Sequence, residues 1–137
     1  MKRLITFTDG GSRNNPGPAA CGIVIKDEEE NLIDAFSEFL GTATNNEAEY
    51  GALIFALKKA KTFLAEGGEL TCYLDSELVV KQLKGEYRVK DEKMKALHAR
   101  VTALKRDFDK VEFIHVKREK NKLADELVNK ELDSRGY

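Results

Sequence analysis

The pattern of apolar and polar positions changes character along the chain. Arg3 to Asp9 (RLITFTD) is rich in strand-forming residues, and Gly10-Gly11-Ser12 reads as the turn that ends the strand. Arg13 to Pro18 (RNNPGP) has the composition of an irregular loop. A β-branched run from Cys21 to Lys26 (CGIVIK) follows, and the charged stretch from Asp27 to Asn31 turns the chain. Leu32 to Leu40 (LIDAFSEFL) reads as its hairpin partner, although the same residues also fit a helix. A three-strand meander is the expected start of the fold.

From Asn45 the period becomes helical. Leu53, Ala56, Leu57, Ala60 and Leu64 fall on one stripe, and Gly67-Gly68 stops that helix. Leu70 to Leu74 predicts a strand, ended by Asp75-Ser76, which can cap a short helix reaching Gln82 before Gly85 breaks it. Met94, Leu97, Val101, Leu104 and Phe108 form a second helical stripe opened by Asp91. Val111 to Val116 predicts a further strand, and Asn121 to Leu132 a closing helix. A meander followed by alternating helix and strand implies an α/β fold: one mixed sheet with parallel members and helices on its faces. With no internal repeat and no linker, residues 1–137 are expected to form a single domain.

Composition narrows the function. A chain of 137 residues that is 42% hydrophobic can bury roughly two-thirds of its unfolded surface, so disorder is excluded. The 23 basic residues against 24 acidic give a net charge of -1. A protein held to nucleic acid by bulk charge would be far more basic, so any polyanion must meet a local patch. The apolar runs are too short to span a bilayer, and no signal-peptide pattern precedes the first strand. Cys21 and Cys72 are too few and too isolated for a zinc site or a disulfide framework. A cytoplasmic monomer without membrane contact is the expectation.

Most acidic side chains belong on a solvated surface, but four sit where that reading is strained. Asp9 ends an apolar strand in phase with Ile5 and Phe7, so it shares a side with two core-type residues. Asp75 ends another apolar strand in the same way. Glu49 begins the stripe continued by Leu53, Ala56, Leu57 and Ala60. Asp125 precedes Val128 and Leu132 at the edge of the last helix's apolar face. An unpaired buried carboxylate is costly, so each wants a partner. Strand ends and helix starts commonly meet at one edge of an α/β sheet, where ligands also bind. If the four converge, their repulsion demands a cation, and oxygen-only ligands favour Mg²⁺ or Mn²⁺ over zinc. The glycines after the first strand lack dinucleotide-binding spacing and lead into a strand, and neither a phosphate-binding P-loop, a calcium loop nor a nucleophile elbow occurs.

The same residues carry a resemblance. Phe7-Thr8-Asp9-Gly10-Gly11-Ser12 with Asn15-Pro16-Gly17 resembles the opening motif of type I ribonuclease H. Thr44-Asn45-Asn46-Glu47-Ala48-Glu49-Tyr50 is similar to the family's second motif, and Asp75-Ser76-Glu77-Leu78-Val79 with Gln82 to its third. Val116-Lys117-Arg118-Glu119, Asn121 and Ala124-Asp125 resemble the fourth. Four motifs in order over nearly the whole chain are far more specific than any one. The resemblance implies a five-stranded mixed sheet and endonucleolytic hydrolysis of the RNA strand of RNA/DNA hybrids, giving 5′-phosphate and 3′-hydroxyl ends. It implies two Mg²⁺ ions, for which Mn²⁺ can substitute, on Asp9, Glu49, Asp75 and Asp125. In the family's division of labour Asp9 bridges, Glu49 and Asp75 hold the ion nearer the attacking water, and Asp125 the ion nearer the leaving oxygen. Asn15, Asn45 and Asn46 would contact the nucleic-acid backbone, where neutral groups can sense a 2′-hydroxyl, and Thr44 would help hold a DNA phosphate.

The chain also departs from the family pattern. Many bacterial members carry a mobile His-containing loop before the last acid; here Arg118 and Glu119 stand in its place, and Arg118 is expected to assist at the site. His115, upstream of it, is expected to pack by strand phase. Glu77 replaces a Gln common among relatives, and no separate N-terminal hybrid-binding module is expected. From Lys81 to Arg106 nine basic residues stand against Glu86, Asp91 and Glu92, enough to anchor a phosphate backbone; within it Lys84, Arg88 and Lys90 are the expected contacts. A related core acting on DNA and a non-catalytic hybrid-binding module are the alternatives. The Asn-rich motifs oppose the first, and the complete set of acids opposes the second.

Overall fold

The computed structural model describes residues 1–64 and 66–137. Five strands form one sheet: β1 (Arg3–Ser12), β2 (Gly17–Lys26), β3 (Leu32–Ala43), β4 (Glu69–Leu74) and β5 (Lys110–His115), in the order β3-β2-β1-β4-β5. The first three pair antiparallel, whereas β4 and β5 run parallel to β1. Four helices complete the fold: α1 (Asn45–Phe63), α2 (Glu77–Leu83), α3 (Glu92–Lys105) and α4 (Lys122–Ser134). The expected five-stranded mixed α/β sheet is therefore present, with the segment 32–40 as strand rather than helix and extended to Ala43.

Local chemistry explains the helix starts. Thr44 and Glu47 form a reciprocal capping box at the head of α1, Ser76 accepts the Val79 N–H to cap α2, and Asp91 accepts the Met94 N–H to cap α3. Gly85, at φ +80°, takes the left-handed conformation that follows the end of α2. α1 carries the larger core: its Leu53, Ala56, Leu57 and Ala60 pack on Leu4, Cys21, Ile23, Ile25, Leu70, Cys72 and Leu74 of the sheet. α4 covers the other face, setting Val128 and Leu132 on Ala20.

Two features differ from the expectation. Gly10, Gly11 and Ser12 do not turn the chain; they continue β1 and pair with Cys21, Ala20 and Ala19. The loop is correspondingly shorter, and β2 begins at Gly17. Gly10, like Gly22 in β2, serves close approach instead. A Cβ on Gly10 would lie 2.2 Å from the backbone carbonyl of Ala48 in α1, and one on Gly22 would lie 2.1 Å from the Ala124 carbonyl oxygen in α4. Both helix backbones thus rest directly on the sheet. Second, Ile5 and Phe7 do share the face of Asp9, yet they are only half-buried, because α4 packs mainly on β2. The fully buried residues of β1 are Leu4, Thr6 and Thr8, on the α1 face.

Gly22→Ala should therefore force α4 off the sheet and lower stability by about 3 kcal/mol in urea denaturation. Gly11→Ala, whose Cβ would meet only the Val128 side chain at 3.3 Å, should cost less than about 1 kcal/mol. Equal losses would show that close backbone approach is not what Gly22 provides.

Candidate active site

The carboxylates gather where β1 and β4 end. Asp9 follows Thr8, the last residue of β1 that pairs with β4, and Asp75 leaves the end of β4 just before the Ser76 cap. Glu49 stands in the second turn of α1, brought to β1 by the close seating on Gly10, whose N–H donates to Glu49 Oε1 at 3.1 Å. Oxygens of Asp9, Glu49 and Asp75 lie within 4.8 Å of one another. Asp125, in the first turn of α4, lines the same cleft, and its charge is felt at Asp9. Here the backbone approach at Gly22, which pairs with Asp9 across the sheet, matters: it draws in the turn of α4 that carries Asp125.

Asn121 fixes that helix start from within. It is 2% exposed, and its Nδ2 donates to the carbonyl of Thr8, next to Asp9, at 2.7 Å. On the other side, Tyr50 donates its hydroxyl to Gln82 Oε1 at 2.7 Å, tying the helix of Glu49 to the helix that follows Asp75. Such buried hydrogen bonds set helix positions because leaving either partner unpaired is costly.

The electrostatics are those of crowded buried acids. Asp9 and Glu49 are 4% and 6% exposed. Burial raises the Asp9 carboxyl from 3.8 to about 7; contact with Glu49 opposes the rise, while Asp75 and Asp125 add to it. Glu49 is raised well above its ordinary value, by burial first and then by the charge of Asp9, with the Gly10 N–H opposing. Glu49 Oε2 and Asp75 Oδ2 are buried without a hydrogen-bond partner among the described residues. Orphaned carboxylate oxygens within a cluster of three acids fit a hard cation, and the donor set contains neither sulfur nor nitrogen.

Around the acids the cleft is lined by Asn45, Asn46, Ser76, Arg118 and Asn129, together with Ser12 and Arg13. The Asn45 amide oxygen accepts the Ser12 N–H at 2.8 Å, and the Asn15 amide oxygen accepts the Asn45 N–H at 3.0 Å. Since backbone donors hold both oxygens, each amide keeps its NH₂ group for an incoming acceptor. Thr44 spends its lone pair on the Glu47 N–H at 3.1 Å, and its hydroxyl hydrogen remains a donor. Arg118 stands exposed on a 3-10 turn over Arg118–Lys120, at the cleft wall.

Other expected residues lie outside the cleft. Lys84, Arg88 and Lys90 are exposed along the end of α2 and the connection to α3, away from the residues lining the acids. Glu77 is exposed and paired with Lys81 at 2.9 Å. His115 is exposed at the end of β5, contrary to the packing expected from strand phase. The edge strand has only Phe113 fully on the core side, so alternation does not bury its last residue. Sequence reasoning also missed Arg13 and Asn129. Asn129 follows Asp125 by one helical turn, a spacing that could have pointed to it, whereas Arg13 acquires its partners only through the fold.

Comparison with known proteins agrees with this geometry. A family described as reverse transcriptase-like matches residues 7–131. The chain is 40% identical over 131 residues to a protein of Halobacterium salinarum named Ribonuclease HI, covering 96% of this chain and 65% of that protein. It is 37% identical over 133 residues to a bifunctional protein of Mycobacterium tuberculosis, of which it spans 36%. The chain thus spans less than two-thirds of these curated relatives. The structure of LC11-RNase H1 in complex with an RNA/DNA hybrid superposes with a TM-score of 0.91 at 43% identity, covering 96% of this chain and 98% of that one.

The raised carboxyls give a pH signature. An acid whose native pKa exceeds its unfolded value keeps its proton in the folded state after the unfolded chain has lost it. Stability without metal should therefore fall as pH rises from 3.8 through about 7. Melting curves in EDTA should show the wild type losing stability between about pH 4 and about pH 7, with a flatter profile for Asp9→Asn. A wild-type profile as flat as that of the variant would contradict buried repulsion at Asp9.

Proposed function

The chain belongs to the reverse transcriptase-like family of ribonuclease H domains, and from that premise we propose that it hydrolyses the RNA strand of RNA/DNA hybrids, leaving 5′-phosphate and 3′-hydroxyl ends. The observation that carries the reading is the knot of Asp9, Glu49 and Asp75 within 4.8 Å, with two of its oxygens orphaned. A structural role would not leave buried acids facing one another unpaired. The likeness to a structure holding an RNA/DNA hybrid supports the substrate class.

The orphaned oxygens and the oxygen-only donor set fit divalent cations, Mg²⁺ first with Mn²⁺ as a substitute, and Asp9, Glu49, Asp75 and Asp125 would hold two of them. When bound, such ions supply an activated water and relieve charge on the leaving oxygen. The protein's own groups do the rest. Burial keeps the carboxylates from solvation, so they hold charge poorly alone and release their protons when a cation arrives. The amide hydrogens of Asn45, which lines the cleft, and of Asn15, which is bonded to its backbone, remain available as neutral donors suited to reading a 2′-hydroxyl beside a phosphate. Asn46 lines the same cleft, and Thr44 would hold a DNA phosphate from the N-cap of α1 just before it. Lys84, Arg88 and Lys90 would meet the duplex backbone outside the cleft, where charge sets affinity rather than selectivity.

Cleavage assays on RNA/DNA, RNA/RNA and DNA/DNA duplexes, each with Mg²⁺ and with EDTA, test the proposal. Wild type should cut the RNA strand of the hybrid only with the metal, and Asp9→Asn should lose essentially all turnover. Near-normal turnover by that variant would end the two-metal assignment. Cleavage of the DNA duplex in preference would shift the substrate class.

Arg118 lines the cleft on the turn just before the helix of Asp125, and it has no acidic partner within salt-bridge distance among the described residues. From this position it would steady phosphate charge beside that acid. Arg118→Ala should reduce kcat about tenfold without abolishing it. Unchanged kinetics would leave Arg118 a surface charge.

A further inference from the structure

The β1–β2 turn, Arg13 to Pro16, carries Asn15 and is held from two sides. On the α1 side the Ser12 N–H donates to Asn45, and the Asn45 N–H donates to Asn15. On the α4 side a single side chain makes the attachment. Arg13 donates from Nη1 to the Tyr137 carbonyl at 2.6 Å and from Nη2 to Asp133 Oδ1 at 2.9 Å. The same Nη2 reaches the Asn129 side-chain oxygen at 3.3 Å and its carbonyl at 3.4 Å. Asn129 in turn donates to the carbonyl of Asp125 at 3.1 Å, one helical turn back toward the acids.

We infer that Arg13 is a positioning residue: its guanidinium clamps the substrate-reading turn to α4, fixing Asn15 and Asn45 relative to the helix that bears Asp125. Arg13 lies on the cleft wall, but its charge is already engaged by Asp133, and both of its Nη atoms donate to acceptors on α4 and Tyr137. A guanidinium so occupied is poorly placed to take a phosphate as well. Its planar fork is suited to bridging several acceptors at once, which an ammonium cannot do with the same fixed geometry. Without the clamp the turn remains joined to α1 and loses its second support. α4 itself stays seated, since Val128 and Leu132 pack on Ala20 independently of Arg13. The consequence falls on substrate alignment before it falls on chemistry.

The inference rests on the proposed hybrid cleavage, so the test keeps the two apart. Wild-type cleavage with Mg²⁺ is scored first; if the wild type does not cut the hybrid, the functional reading fails. The inference is then judged on Arg13→Gln, Arg13→Lys and Asp133→Asn, comparing KM, kcat, melting temperature and the salt dependence of hybrid binding in EDTA. Arg13→Gln should raise KM about tenfold with kcat within about twofold, melt within about 3 °C of wild type, and keep the wild-type salt slope. Asp133→Asn, which keeps the arginine but loosens the clamp, should move KM in the same direction by a smaller factor. Arg13→Lys should recover only part of the loss. A fall in KM for Asp133→Asn, with a shallower salt slope for Arg13→Gln, would make Arg13 a direct phosphate contact and overturn the inference. A lower melting temperature with KM unchanged would overturn it in favour of simple stabilisation.

Discussion

Everything at this site follows from two places where a missing Cβ lets a helix backbone lie directly on the sheet. Gly10 follows Asp9 in the strand, and Gly22 stands opposite Asp9 in the neighbouring one. The first admits the backbone of α1 at Ala48 and Glu49; the second admits the backbone of α4 at Ala124, next to Asp125. Any side chain at either position would separate the helices from β1 and with them the carboxylates they carry. Close seating on both faces of the sheet, at two adjacent strands, turns acids from distant parts of the chain into neighbours. The mutual repulsion that results raises Asp9 and Glu49 and leaves oxygens without partners, and this is what gives the cleft its demand for a cation.

The hydrogen bonds around the acids keep that crowding from dispersing. Asn121 joins the start of α4 to Thr8, Tyr50 joins α1 to Gln82 on α2, and Gly10 offers its N–H to Glu49. Each spans an element boundary, so the carboxylates can relax only if a buried polar group loses its partner. The cleft rim is built by the same economy of donors. Backbone N–H groups engage the oxygens of Asn15 and Asn45, orienting both amides while leaving their hydrogens for a ligand. The result is a cleft with a charged floor and a largely neutral rim, a combination that separates holding a cation from sensing the shape and hydroxyl pattern of a duplex.

Much of this was legible in the chain because the signals are local. The strand and helix periods, the caps at Thr44, Ser76 and Asp91, and the break at Gly85 each depend on a few neighbouring residues. The four acids were visible for the same reason: each stands at a position of its own strand or helix where an apolar residue would be expected. Ordered motifs then pointed to the family, and the five-stranded mixed sheet agrees with it.

What local pattern could not carry was decided by contacts between elements far apart in sequence. Gly10 and Gly11 read as a turn because glycine is permissive, whereas both continue β1, and α1 requires Gly10 as a strand residue with no side chain in the way. Alternation put Ile5 and Phe7 on the face of Asp9, but only the placement of α4 over β2 determined that this face is half-covered and the other sealed. His115 follows the strand period and yet is exposed, since it ends an edge strand. Arg13 shows the division most plainly. Its sequence neighbours say nothing of Asn129, Asp133 or Tyr137, which reach it only when the last helix folds back across the sheet. Sequence determines which elements form and which residues are out of place within them; the distances between those residues are set by how closely two backbones can approach, and that is a property of the packed whole.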